Sequence, residues 1–87
     1  MIITKQIVAV QLLQYLQHKT SLNELITWAE DMLVEGHFQE TETEIIRNVL
    51  GEIGLANVRN FGLSWEDCVS IMQRLGYTIH IEATLAA

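Results

Sequence analysis

Apolar side chains return every three or four residues along four stretches of this chain. That interval, more than any single residue, limits what it can fold into. The first stretch runs from Lys5 to His18 behind Thr4, with Val8, Leu12, Tyr15 and Leu16 on one stripe. Val10 and Leu13 widen that stripe, so this helix is expected to be the most buried. The second opens on Ser21-x-x-Glu24, a capping box in which the serine side chain accepts from an orphan amide and the glutamate reaches back to the cap. Leu22, Leu25, Ile26, Ala29, Met32 and Leu33 then mark one face, and Gly36 falls where a helix ends.

Thr41-x-x-Glu44 repeats the capping signal before Ile45, Ile46, Val49, Leu50 and Ile53. Gly51 lies inside this third helix and weakens it by about 1 kcal/mol, while Gly54 is placed to end it. The connection LANVRNFG follows, and Arg59, Phe61 and Leu63 share a side if the chain is extended there. Ser64 is the expected cap of the fourth helix, with Glu66 and Asp67 in a first turn whose dipole favours negative charge. Trp65, Cys68, Val69, Met72 and Leu75 form its stripe, and Gly76 terminates it.

After Gly76 the period changes from helical spacing to strict alternation. Tyr77, Ile79, Ile81, Ala83 and Leu85 interleave with Thr78, His80, Glu82 and Thr84, the pattern of a half-buried strand. A lone strand leaves its amides and carbonyls unpaired and needs a partner. Three are available: Val58–Leu63, Met1–Ile3, or the same strand of a second molecule. The expected fold is therefore mainly α, a compact four-helix bundle with one short C-terminal β-strand, forming a single helical domain over residues 1–87. A domain of this length buries roughly 60–65% of its unfolded surface, so the core is modest.

Composition narrows the function classes. The chain has no proline, which suits a helix-rich fold, and its single cysteine can make no internal disulfide. Gln11 interrupts the early apolar run IVAV, and the first residues lack a basic start and a cleavage site. The sequence thus reads as a cytoplasmic protein with no membrane partner. Eleven acids face five bases for a net charge of −6, and between Thr20 and Ile46 there are seven acids and no Lys or Arg. Nucleic-acid binding takes much of its affinity from cations on phosphate, so no nucleic acid is expected. The same field favours a basic protein partner, and solubility alone is the plainer explanation of the acidity.

No constellation points to catalysis. Cys68 sits within an apolar stripe beside Glu66 and Asp67, which oppose the lowered pKa a reactive thiol needs. Histidines at 18, 37 and 80 fix no triad geometry. Glu35, His37 and Glu40 in EGHFQE, and His80 with Glu82 in HIE, each fall short of the three or four ligands of a zinc site. Neither a cofactor nor a metal is expected. A helix-turn-helix reading of residues 44–75 meets a connection much longer than that motif's turn, and its second helix would enter the groove with Glu66 and Asp67. The glycines of VLGEIGLANVRNFG lack phosphate-loop spacing.

Two tryptophans differ in placement. Trp65 opens a stripe and is expected in the core. Trp28 lies at the border of the second helix's apolar face, where it serves either as core edge or as an interface anchor.

SLNELITWAEDMLVEG, GLANVRNFGLSWEDC and MQRLGYTIHI together resemble a set of small bacterial proteins that carry an SLxELxxWAE helix and a later FGL[ST]WEDC-to-LGY stretch. The resemblance spans nearly the whole chain. It implies no activity and carries over no catalytic or binding residues. The ending MQRLGYTIHIEA is also similar to the tail of some helix-turn-helix antitoxins, although the DNA-reading helix of those proteins is not recognisable here. Colicin-immunity proteins share the length, acidity and helical character, but their Tyr-Tyr-Pro motif is impossible in a proline-free chain.

The resulting expectation is a non-catalytic protein-interaction module, an inhibitor, immunity or antitoxin-like factor for a basic partner. Trp28, Glu30, Asp31, Glu35, Glu40 and Glu42 form the expected contact face. The alternative is a homodimeric structural or regulatory protein joined through Tyr77, Ile79, His80, Ile81 and Glu82. A DNA-binding regulator or a metal-dependent enzyme ranks below both.

Overall fold

The computed structural model describes residues 2–56 and 62–85. In chain order it contains β1 (Ile2–Ile3), α1 (Lys5–Leu16), α2 (Leu22–Glu35), β2 (His37–Phe38), a 3₁₀ turn (Glu40–Glu42), α3 (Thr43–Gly54) and α4 (Trp65–Arg74). The protein is mainly helical, as the apolar spacing implied. The helices close over one core built from Ile3, Val8, Leu12, Leu25, Ala29, Ile46, Val49, Leu50, Ile53, Cys68, Ile71 and Leu75.

Two helices begin as their sequences require. Ser21 accepts from the Glu24 amide at 3.1 Å while its own amide donates to the Glu24 carboxylate. Ser64 and Asp67 exchange the same pair of bonds at 3.0 Å each. The capping box expected at Thr41 does not form. Residues 40–42 make a 3₁₀ turn that feeds α3 directly, and the cap position falls on Glu42 with no side-chain bond. It is Thr43 whose hydroxyl bonds the turn, donating to the carbonyls of Gln39 and Glu40.

α3 rather than α1 is the most deeply embedded helix, with Ile46, Val49, Leu50 and Ile53 all excluded from water. α1 buries Val8, Ala9 and Leu12, but Val10 and Leu13 stay exposed instead of widening its stripe. A helix this apolar all round has more greasy surface than its two neighbours can cover. α1 also stops short of His18. Its end is a Schellman motif, with the His18 amide on the Tyr15 carbonyl and the Lys19 amide on the Gln14 carbonyl. The motif holds His18 at φ 61°, a conformation that costs a side-chain-bearing residue energy.

The sheet is not where the alternation pointed. β1 and β2 pair in parallel, Ile2 with His37 and Ile3 with Phe38, and the Gln39 amide extends the ladder onto the Ile3 carbonyl. The α1–α2 hairpin is the crossover that returns the chain alongside β1. Tyr77–Leu85 forms no strand among the described residues. Of its candidate partners, Ile2–Ile3 is taken by β2, and Val58–Phe61, with the expected extended side of Arg59 and Phe61, lies outside the described residues. Gly76 ends α4 in a second Schellman motif at φ 93°, with the Tyr77 amide reaching the Met72 carbonyl at 2.8 Å.

Candidate functional site

Two surfaces gather the residues with functional potential. The first is the outward side of α2. Leu25, Ile26 and Ala29 face the core, which leaves Glu24, Thr27, Glu30, Asp31, Val34 and Glu35 exposed, Val34 at 84%. Trp28 lies between the two sides: half-buried, it packs against the core and also lines a shallow notch with Asn23, Glu24, Thr27 and Asp31. It is therefore core edge, one of the two roles its border position allowed, with part of its ring open to solvent at the notch.

The acids expected to act with Trp28 do not form one set. Glu30, Asp31 and Glu35 stand on α2, and the Glu30 stem runs beside Gly54 of α3. Glu40 is exposed on the 3₁₀ turn, while Glu42 is half-buried there in an ion pair with Lys5 at 3.6 Å. Glu42 thus ties the turn to the start of α1. Other cations are also engaged within the chain: Arg74 pairs with Glu52, and Arg47 stands 5.6 Å over the Phe38 ring.

The second surface is a groove of about 590 Å³ between the end of α1, the start of α4 and the C-terminal segment. Leu13, Leu16, Leu63 and Cys68 supply apolar walls, and His18 and His80 lie at its edge. Trp65, expected in the core, is 44% exposed on this groove. It is the first residue of α4, where the helix has not yet turned its stripe into the core; Ile71 and Leu75, further along, are the residues excluded from water. The segment leaves α4 with Tyr77 near Thr4–Gln6 and enters the groove with Ile79, His80 and Ile81. Ile79 packs on the core, whereas Ile81 is 68% and Leu85 96% exposed. His80 Nε2 lies 3.9 Å from Glu82 Oε1, the two being neighbours on one face of extended chain.

Cys68 at the base of the groove is buried, and burial, reinforced by the Asp67 carboxylate, pushes its thiol up from the ordinary 9.0. Such a thiol stays protonated at neutral pH and is a poor nucleophile. Among the described residues no three His, Cys, Asp or Glu side chains come together in a way that could hold a metal ion. Glu35, His37 and Glu40 are divided among the end of α2, β2 and the 3₁₀ turn. No helix of the described residues is long and apolar enough to cross a membrane.

The contributions of Leu13, Leu16 and Leu63 to the groove went unseen in the sequence. Each reads locally as part of a helix stripe or a loop, and only folding brings the three segments together. Compared with known proteins, the chain matches no family model, no curated protein and no solved structure.

Proposed function

We propose that this chain is a non-catalytic protein-interaction module, acting in the cytoplasm as an inhibitor, immunity or antitoxin-like factor whose α2 face meets a basic partner. The observation that carries this reading is the composition of that face. Glu24 and Asp31 line the notch with Trp28, and Glu30 and Glu35 are exposed elsewhere on the same helix, on a chain of net charge −6. An acidic surface of this kind steers a basic partner into encounter, and a rigid aromatic at its base gives the partner something to bury. The non-catalytic part of the reading is supported by the protonated, buried state of Cys68.

Affinity capture from the native cell tests it, using the wild-type chain beside an Asp31→Lys/Glu35→Lys variant. The expected result is a basic partner, identified by mass spectrometry, that the wild type holds, the variant loses and high salt releases. A partner retained equally by both chains and at high salt, or no partner at all, removes the reading.

A further inference from the structure

Two features near the C-terminus are incomplete in one chain. Tyr77–Leu85 has the alternation of a strand but no ladder among the described residues. Beside it, the groove leaves Trp65 and Ile81 in water over apolar walls. We propose that a second copy of this chain completes both, its Tyr77–Leu85 pairing antiparallel with this one about a two-fold axis at Ile81.

The segment is complementary to itself in that register. His80 stands opposite Glu82 and Glu82 opposite His80, so the contact sets an imidazole against a carboxylate twice. Thr78 meets Thr84, Ile79 meets Ala83, and Tyr77 meets Leu85. The neighbouring registers are worse: centring on His80 sets two imidazoles face to face, and centring on Glu82 sets two carboxylates face to face.

The groove is served by the same pairing. Directly opposed residues of an antiparallel pair point to the same side of the sheet. The partner's Ala83 therefore follows Ile79 to the side on which Ile79 meets the core, next to the open groove. Charge points the same way. Two chains of net −6 repel, and Tyr77–Leu85 brings only one acid from each, opposite an imidazole.

Sedimentation of the full chain over a wide concentration range tests the pairing. The wild type should dimerise, and Ile81→Lys, which sets two ammonium groups together on the axis, should be monomeric with unchanged helical circular dichroism. His80→Glu places carboxylates opposite one another and should raise the dimer Kd about tenfold or more. Adding Glu82→His to that variant restores both imidazole–carboxylate pairs and should return the Kd to near the wild-type value. A wild type that stays monomeric throughout, a dimer indifferent to Ile81→Lys, or a double variant no tighter than His80→Glu each overturns the proposal.

Discussion

Gly36 lies against Ile3, with a Cβ there barred by the Met32 carbonyl on one side and crowded by Ile3 on the other. A Cβ at Gly36 would stand 3.2 Å from Cγ1 of Ile3 and 2.5 Å from the Met32 carbonyl oxygen. The backbone at Gly36 is ordinary extended chain at φ −73°, so the requirement is space and not conformation. The glycine lets α2 end and β2 begin within one residue while Ile3, 1% exposed, plugs the core beneath. Gly36→Ala should therefore destabilise the protein by about 1–3 kcal/mol, the usual cost of forced overpacking. Urea unfolding should show a lower midpoint; an unchanged midpoint would mean that β1 and α2 part easily.

His18 presents the opposite case, a side chain where glycine belongs. At φ 61° it occupies the left-handed position of the Schellman motif that closes α1. His18→Gly should stabilise by about 0.5–1 kcal/mol, because relief of the left-handed strain outweighs the glycine's added freedom in the unfolded chain. His18→Val, whose branched Cβ tolerates that conformation poorly, should move stability the other way. Thermal unfolding of the two variants beside the wild type reads both signs.

The thiol of Cys68 gives a pH prediction. Its pKa is raised, by burial first and by the Asp67 carboxylate second, so the folded state holds the proton more tightly than the unfolded state does. The stability this contributes is complete below the ordinary value of 9.0 and is lost as pH climbs through the folded value. Unfolding midpoints should thus fall on the alkaline side more steeply for the wild type than for Cys68→Ala. Alkylation of the native thiol at neutral pH should be slow and should speed up on unfolding.

The core of α2 is the firmest point at which spacing and structure agree. Leu25 lies on the stripe read from the sequence and is 1% exposed against the core. Leu25→Ala should cost about 2–5 kcal/mol, read from denaturant unfolding. A loss below about 0.5 kcal/mol would mean that the helix buries another face.

These variants also mark what could be read in advance. Ser21, Ser64 and Gly76 carry strong local signals, since capping boxes and left-handed glycines are settled by a few adjacent residues, and each appears where its signal stood. β1 and β2 were illegible because two residues contain no period. Their pairing depends on Gly36 meeting Ile3 across a two-helix crossover. The stripe of α1 misled because Val10 and Leu13 are apolar without being needed by the core. Of the expected self-association residues, Ile79, His80 and Ile81 line the groove, while the intended partner-binding acids are scattered over α2 and the 3₁₀ turn. Alternation in Tyr77–Leu85 declares a strand's side-chain preference, but a ladder needs a second strand, which lies beyond what local sequence encodes.

α4 is held at both ends by polar contacts of unequal worth. At its start, Ser64 and Asp67 satisfy one another's amides through a reciprocal box. At its end, Arg74 pairs with Glu52 of α3, and the two side chains remain 40% and 29% exposed. The cap satisfies a backbone donor that has no partner within the helix, so Ser64→Ala should cost about 1 kcal/mol. An ion pair this open to water is screened and loses side-chain entropy on forming, so Glu52→Gln should cost about 0.2–1 kcal/mol. Raising the ionic strength should shrink the Glu52→Gln effect and leave the Ser64→Ala effect nearly constant. Denaturant unfolding of both variants at low and high salt separates them. If salt instead erased the Ser64 effect, the Asp67 charge on the helix dipole, and not the hydroxyl's hydrogen bond, would be what fixes the start of α4.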